Sequence, residues 1–227
     1  MALFGILLLK GCPTCIKTDR DPRFIGGWTA DEFPSPWMRF LLCLGIELII
    51  LPPRRPDLNP FVERFHRSLK EEVILVERPA NLEQSIDAFE RYHPHYNHER
   101  PNQALSCGNQ PPAVAFPELP PLRSLPDTVD PDAWLEAIDR RAYDRKINRN
   151  GSVQLGGQRY YIKQALVGQA VTLVVLADVR QLRVVHNGQV IKVLDIKGLF
   201  QGVLSLSEFV RLMVQQARTI DRQLRLV

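Results

Sequence analysis

The chain has 227 residues, of which 45% are hydrophobic, and its 29 basic and 25 acidic side chains give it a formal net charge of +4. This length allows one large or two small domains, and the hydrophobic content is ordinary for a folded protein. The small basic excess is compatible with binding to nucleic acid without demonstrating it. The apolar run at residues 3–9 is far shorter than the ~20 residues that cross a bilayer, so a membrane-spanning segment is excluded there.

The N-terminal residues also contain a Cys-x-x-Cys pair, Cys12 and Cys15. A structural zinc ion needs four ligands, and the remaining cysteines, Cys43 and Cys107, do not form a second closely spaced pair. Incidental thiols in a reducing compartment therefore explain the pair better than a zinc or redox site, which stays the alternative. No positively charged segment precedes the apolar run, so a signal peptide is not indicated and we expect a cytoplasmic location.

The first acidic candidate follows a short predicted strand that ends at Thr18. Asp19 comes directly after this strand, and Asp21 follows two residues later. Taken alone, such a pair of acids is usually a solvated turn. Residues 46–51 form an apolar run typical of a buried strand, and the proline-rich loop after it, which contains Arg54 and Arg55, cannot extend that strand.

The strongest helix signal lies directly after this loop. Asn59 is a favoured N-cap residue and Pro60 suits the first helical position, so we assign Asn59 a structural role. Glu63, Arg67 and Lys70 then recur at i, i+4 and i+7, which places one carboxylate and two cations on one face. An opposing apolar stripe runs through Phe61 or Val62, Phe65, Leu69 and Val73. The simpler alternative is a surface helix with a Glu63–Arg67 ion pair.

A second helix is predicted from about residue 81 to 96, with Leu82, Ile86 and Phe89 facing inward. It is followed by the sequence Tyr-Asn-His-Glu-Arg-Pro-Asn-Gln-Ala-Leu at residues 96–105. A structural turn that closes the fold is the expected role of this segment, and we assign it no catalytic function.

The second half of the chain changes character twice. Residues 117–147 are predicted to be a proline-rich linker with a short helix at residues 130–138 and a basic run that includes Arg145 and Lys146 and continues to Arg149. Five short alternating strands follow in residues 148–198, and their number and spacing predict a small all-β barrel. Ser205 and Glu208 then form a capping box for an amphipathic helix in residues 199–227.

Together, the elements of residues 1–116 resemble part of the catalytic core of DDE transposases and retroviral-type integrases. The order of Gly11, Pro13, Thr18 and Asp19 is similar to the family's Gly-x-Pro turn and Thr-Asp strand end. The proline-rich loop with Asn59 and Glu63 is similar to the segment that carries the family's third acid. Residues 96–105 resemble its Tyr-Asn-x-x-Arg-Pro-His-x-Ala-Leu stretch, with Asn102 where histidine is usual.

This resemblance implies an α/β fold: a partial ribonuclease-H-like core that lacks its first strands, then a barrel of the kind that family members often carry. It implies phosphodiester cleavage and strand transfer with Mg²⁺ or Mn²⁺ held by carboxylates, among them Asp19 and Glu63. The family's first aspartate lies on an earlier strand, which these 227 residues do not contain. We therefore expect an N-terminally truncated chain that is inactive alone, since Asp21 and Asp31 are poor substitutes for that acid.

The resemblance also implies DNA as a partner. The cations expected to contact DNA are Arg54, Arg55, Arg67, Lys70, Arg145, Lys146 and Arg149. Intact relatives act as DNA-bound oligomers, so a homo-oligomer or a complex with a full-length transposase is expected. The alternative to an enzyme is a non-catalytic DNA-binding or regulatory remnant of a transposase.

Overall fold

A computed structural model describes residues 2–21, 24 and 32–224. Its contacts divide the chain into two compact units, one of residues 1–51 and 122–227 and the other of residues 52–121. The fold is mixed α/β, as the sequence predicts, whereas the four predicted domain segments stay a prediction.

The first unit begins with a small α/β segment. Its elements are α1 (Ala2–Lys10), β1 (Cys15–Thr18), α2 (Pro36–Cys43) and β2 (Glu47–Ile50). The strands pair in parallel, with Cys15 opposite Glu47 and Thr18 opposite Ile50. Helix α2 begins at Pro36, because the Ser35 side chain accepts a hydrogen bond from the Met38 N–H and Pro36 has no N–H that needs a partner.

The C-terminal helix belongs to the same unit. Strands β3 (Thr128–Val129) and β10 (Leu204–Ser205) pair antiparallel, and α7 (Leu206–Leu224) continues from β10. The predicted capping box is present, since the Ser205 N–H donates to Glu208 at 3.0 Å and the Glu208 N–H donates to the Ser205 hydroxyl at 3.4 Å. Side chains of α7 and α2 share one hydrophobic cluster, so the C-terminal helix covers the α/β segment.

Part of the proline-rich segment is built into this unit. The Arg123 guanidinium donates to the carbonyls of Leu44 and Gly45 at 2.9 and 3.1 Å, where α2 has ended. The Arg123 carbonyl accepts from the Cys12 N–H at 2.7 Å. A 3₁₀-helix at Ala133–Ile138 then buries Trp134, and the predicted short helix is thus present in tighter form.

The remainder of this unit is antiparallel β-structure. Its strands are β4 (Ala142–Lys146), β5 (Ser152–Leu155), β6 (Gln158–Tyr161), β7 (Ala170–Leu176), β8 (Gln181–His186) and β9 (Gln189–Asp195). The last five lie where the sequence predicts strands, whereas β4 occupies the predicted basic run. One sheet has the order β4-β7-β8-β9, and among the strands that the structure describes β5 pairs with β6 alone.

The predicted closed barrel is therefore wrong for the described residues. The hairpin and the four-stranded sheet share a core that includes Val153, Tyr160, Leu173 and Val184, but side chains rather than backbone ladders join their edges. Between β9 and β6, the Lys192 ammonium donates to the Tyr161 carbonyl at 2.8 Å. On the other side, Arg145 Nε donates to the Gln154 carbonyl at 2.8 Å. At each of these two seams, a side chain rather than a neighbouring strand occupies a backbone acceptor.

The second unit is helical. It contains α3 (Pro60–Leu69), a π-helical turn at Lys70–Ile74, α4 (Leu75–Glu77), α5 (Leu82–His98) and α6 (Pro112–Ala115). The hydrophobic cluster between α3 and α5 consists of Val73, Ala88 and Tyr92, with Phe65, Leu69 and Tyr96 packed against them.

The buried face of α5 differs from the predicted one. Leu82, Ile86 and Phe89 are 75, 48 and 40% exposed, whereas Ala88 and Tyr92 are buried. Ala88 and Tyr92 are four residues apart, and this stripe packs on Phe65 because the three aromatic rings of Phe65, Tyr92 and Tyr96 interlock, with centroids 5.0 to 6.4 Å apart. The periodicity of the sequence identifies both stripes as apolar and does not decide between them.

Candidate functional site

Asp19 lies at the carboxyl end of β1, in the first unit. Thr18 is buried, and its carbonyl accepts from the Leu51 N–H at 2.9 Å, which extends the parallel pairing to the last residue of the strand. The Asp19 side chain emerges into solvent just beyond this point, and its Oδ1 accepts from the Asp21 N–H at 3.3 Å. The carboxyl ends of parallel strands are a common position for ligand-binding side chains.

Glu63 lies in the first turn of α3, in the second unit. Asn59 occupies the predicted N-cap position, but its side chain makes no capping hydrogen bond within the described part of the chain. Its carbonyl accepts from the Glu63 N–H at 3.1 Å, so backbone bonding and Pro60 define the helix start. Asn59 thus lies at the predicted position without the predicted side-chain contact.

The carboxylate of Glu63 is exposed, and no described side chain pairs with it. In particular, the ion pair with Arg67 that the simpler alternative requires does not form among the described residues. Arg67 and Lys70 are likewise exposed, one and two turns further along. One flank of α3 therefore presents a carboxylate and two cations to solvent without neutralising them internally.

The loop before α3 holds two more predicted cations. Arg54 is exposed and has a φ of 59°, in the left-handed region that non-glycine residues seldom occupy. Arg55 is also exposed, but its Nε and Nη2 donate to both carboxylate oxygens of Asp57 at 2.8 Å each. This bidentate pair holds the pKa of Asp57 below its usual range, so the carboxylate stays charged beside Arg55.

The three cations predicted on the β-structure differ in accessibility. Lys146, at the end of β4, and Arg149, in the following turn, are exposed. The Arg145 guanidinium instead pairs with Glu32 at 3.0 Å, and its side chain is only 16% exposed. A DNA contact by Arg145 would have to replace this ion pair, which a residue 113 positions away in sequence provides and which no local pattern could indicate.

The sequence analysis did not identify Lys163, an exposed cation beside the turn that contains Arg149. Lys163 lies next to it because the N–H groups of Ile162 and Lys163 both donate to the Gly151 carbonyl, at 2.8 and 3.2 Å. The two-residue Gly156-Gly157 turn joins β5 to β6 and fixes the register of this hairpin, which brings its end back to Gly151. Extending the predicted hairpin by two residues would have identified Lys163.

A charged cluster ties the helices of the second unit together. Arg100, the arginine of the motif at residues 96–105, donates from Nε to both carboxylate oxygens of Glu72 at 2.8 Å. The Tyr92 hydroxyl donates to the same carboxylate at 3.1 Å. Arg100 holds the pKa of Glu72 below its usual range, and burial beside Glu72 raises the pKa of Tyr92 to about 12. This cluster fixes the far end of the helical segment that begins at Pro60 and carries Glu63 in its first turn.

The donor chemistry of the two predicted metal ligands suits a hard divalent cation. Carboxylate oxygens are the ligands that Mg²⁺ and Mn²⁺ prefer, and Asp19 and Glu63 are both solvent-accessible. No group of three or more potential ligands is found among the described residues, and Asp31 lies outside them. The cysteines, including Cys12 and Cys15, are free thiols, Cys12 being buried and Cys15 exposed. In the part of the chain described, no helix is long and apolar enough to cross a membrane.

Comparison with known proteins shows that the segment containing α3 is similar to a known protein family. The integrase core domain family matches residues 44–112, which include β2, the basic loop, Glu63, Arg67, Lys70 and α5. Asp19 and the β-structure lie outside this match. The chain is also similar to an uncharacterized 39.2 kDa protein of the insertion element IS476 from Xanthomonas euvesicatoria, with 30% identity over 108 residues. The aligned part is 46% of this chain and 27% of that relative.

Proposed function

Because the chain belongs to the DDE transposase and integrase family through its integrase core segment, we propose that it acts in DNA transposition. The observation that carries the proposal is the exposed flank of α3, where Glu63, Arg67 and Lys70 stand unpaired among the described residues. A carboxylate suited to a metal ion, next to cations suited to phosphates, is what a metal-dependent enzyme acting on DNA needs. Such work on DNA fits a cytoplasmic protein.

We assign Asp19 and Glu63 as ligands for Mg²⁺ or Mn²⁺. When bound, such ions activate the attacking oxygen and stabilise the leaving oxygen of a phosphodiester. The chain's own contribution is to keep both carboxylates accessible to solvent, one at the end of β1 and one in the first turn of α3. The N-terminal end of α3 also stabilises the negative charge of Glu63 through the helix dipole.

DNA would be held through its phosphates by the exposed cations, which are Arg54, Arg55, Arg67, Lys70, Lys146 and Arg149. Arg145 would contact a phosphate only if its ion pair with Glu32 broke. Contacts of this type add affinity that falls with salt and carry little sequence information. The ribonuclease-H-like character of the α/β segment, with its parallel β1–β2 pair, belongs to the same proposal.

We further propose that the 227-residue chain alone binds DNA without cleaving it. The family chemistry uses three carboxylates, and two residues of this chain match the family's acidic motifs. Cleavage would then need a partner that supplies the third carboxylate, such as a full-length transposase. A purely regulatory DNA-binding protein is the second candidate, favoured by the cations of the β-structure, which lie outside the matched core segment.

The test combines a binding and a cleavage assay on the same purified chain. Binding to a labelled duplex is followed by fluorescence anisotropy with Mg²⁺, with Mn²⁺ and with a chelator, and cleavage by nicking of supercoiled plasmid. The variants are Asp19→Asn and Glu63→Gln, with Glu71→Gln as a matched control on the same helical segment. We expect nicking in none of them. Salt-sensitive binding should be strengthened by Mg²⁺ or Mn²⁺ in the wild-type chain and in Glu71→Gln, and not in Asp19→Asn or Glu63→Gln.

The possible results separate the candidates. Nicking by the wild-type chain that disappears in Glu63→Gln and persists in Glu71→Gln would show an active enzyme and overturn the claim of inactivity. Binding that ignores metal and both active-site substitutions would favour the regulatory role. Failure to bind duplex DNA at low salt would overturn the proposal as a whole.

A further inference from the structure

Tyr161 is an exposed aromatic residue at the end of β6. Along this strand Tyr160 is buried in the core, whereas Arg159 and Tyr161 alternate with it and lie on the side exposed to solvent. Tyr161 is 54% exposed. Of two consecutive tyrosines, one is therefore used for packing, and the other keeps about half of a large planar side chain in contact with water.

Lys192, on β9, holds the Tyr161 ring in position. Its ammonium lies 5.1 Å from the ring centroid and donates to the Tyr161 carbonyl at 2.8 Å and to the Ile162 carbonyl at 3.5 Å. A cation thus contacts one face of the ring. Because so much of Tyr161 stays exposed, the other face is available to a planar ligand. A ring that is positioned in advance loses little conformational freedom when such a ligand binds.

The charged residues in the sequence around Tyr161 are all basic. Residues 145–177 contain five basic side chains and no acidic one. Arg159 lies roughly 7 Å before Tyr161 on the same side of β6, Lys163 follows two residues after it, and both are exposed. An acid from outside this segment, Glu32, contacts the hairpin but already pairs with an arginine of β4. The surface therefore fits a ligand that combines planar rings with negative charge.

We infer that Tyr161, Arg159 and Lys163 form a binding site for single-stranded DNA, in which an unpaired base stacks on the tyrosine ring and neighbouring phosphates contact the two cations. Stacking of bases on aromatic side chains within a basic surface is a general way to bind single strands.

The exposed ring makes this site selective for single strands. In a duplex the faces of the bases are covered by their neighbours, and proteins reach only the base edges in the grooves. Tyr161 can therefore stack only on a base that has left the duplex, whereas Arg159 and Lys163 can contact phosphates in either form. The inference rests on the proposed function, because it specifies a form of DNA that the β-structure binds.

The experiment removes the ring from the protein and the bases from the DNA, separately and together. Fluorescence anisotropy follows binding of the full chain to three labelled DNAs of equal length, which are a single strand, the same strand without its bases, and the duplex. Tyr161→Ala should weaken binding of the single strand by roughly 5- to 100-fold, the usual range for one base–aromatic stack. It should not change binding of the abasic strand, which keeps every phosphate.

Further variants separate the ring from its surroundings. Tyr161→Phe keeps the ring and should bind the single strand like the wild-type chain, whereas Tyr161→Leu keeps only an apolar side chain and should bind like Tyr161→Ala. Phe200→Ala is the matched control, because Phe200 is a similarly exposed aromatic residue of the same unit, at 49%, outside the site. Circular dichroism confirms that every variant is folded.

A loss in Tyr161→Ala that is confined to the strand with bases supports the inference. An equal loss on the abasic strand overturns it, since the ring would then act only on the phosphate contacts. Unchanged binding of the single strand also overturns it, but leaves the proposed function intact if the wild-type chain binds the duplex. Binding of the single strand that depends on Tyr161, without duplex binding, supports the inference and overturns the proposed function; binding to neither DNA overturns both.

Discussion

The rings of Phe40 and Phe209 stack nearly parallel, with centroids 5.8 Å apart and an interplanar angle of 10°. Phe40 belongs to α2, next to the β1–β2 pair, and Phe209 to the first turn of the C-terminal helix. The two residues are 8 and 0% exposed. Through this contact, residues from the end of the chain complete the hydrophobic core around the strand that precedes Asp19.

Replacing Phe209 by alanine should therefore destabilise the first unit. Removal of a fully buried phenylalanine costs about 3–5 kcal/mol, because apolar contacts are lost and a cavity remains. Urea unfolding followed by circular dichroism measures the change in the free energy of unfolding. Arg211→Ala, on the exposed side of the same helix, should change it by less than about 0.5 kcal/mol. Equal effects of the two substitutions would contradict this packing.

Asp132 should be a second point of high sensitivity. Its carboxylate is 4% exposed and accepts from Arg180 at 3.1 Å and from the N–H groups of Phe200 and Gln201 at 3.0 and 2.8 Å. Asp132→Ala would leave these three donors without their acceptor, at a cost of roughly 2–4 kcal/mol, given that Arg180 keeps partial hydration.

Thermal unfolding of Asp132→Ala and of Asp178→Ala provides the comparison. Asp178 lies exposed in the turn between β7 and β8, so its substitution should leave the melting temperature almost unchanged. If Asp132→Ala has the same melting temperature as the wild-type chain, the Asp132 carboxylate does not hold residues 199–201 as described.

The sequence predicted the elements better than their assembly. The strands β5 to β9 were predictable because alternation and Asn-Gly or Gly-Gly turns are local signals. Closure of the barrel was not predictable in this way, since it depends on pairing between strands that are distant in sequence, and at the seams Lys192 and Arg145 bond to backbone carbonyls instead. For α5, both apolar stripes satisfy the helical period, and only tertiary contacts show that Ala88 and Tyr92 are the residues buried with Val73.

For the candidate site as well, the positions of residues in local structure could be predicted from the sequence, whereas their tertiary contacts could not. The position of Glu63 follows from Asn59 and Pro60, which mark a helix start without any tertiary information. The accessibility of each predicted cation could not be derived in this way. Arg145 is neutralised by Glu32, distant in sequence, and Arg55 by Asp57, two residues away, although both resemble the exposed Lys146 in sequence.

Glu72 should make the stability of the second unit depend on pH. Arg100 lowers the pKa of this carboxyl in the folded state. A lowered folded pKa means that the contribution is fully present above the unfolded value of about 4.3 and is lost as the pH falls through the folded value. Glu72→Gln should thus cost roughly 1 kcal/mol at neutral pH and progressively less in acid.

Urea unfolding of the wild-type chain and of Glu72→Gln across a pH series tests this expectation. Glu71→Gln changes the same charge one residue away, where the described residues offer the side chain no ion-pair partner, and should show no such pH dependence. A constant difference between wild type and Glu72→Gln down to the lowest pH would mean that the Arg100 contact does not depend on the ionised carboxylate.

Arg67 and Lys70 should appear in the salt dependence of DNA binding. Each phosphate neutralised by the protein releases counterions, so the slope of log K against log salt becomes less steep by about 1 for each cation removed. The double variant Arg67→Gln with Lys70→Gln should therefore flatten the slope by about 2 on random-sequence duplex, as measured by fluorescence anisotropy. Arg91→Gln is the matched control in the same unit, because the Arg91 guanidinium is held by Glu77 at 2.6 Å. An unchanged slope in the double variant would remove the α3 flank from the DNA-binding surface, even if the chain still binds DNA through Lys146 and Arg149.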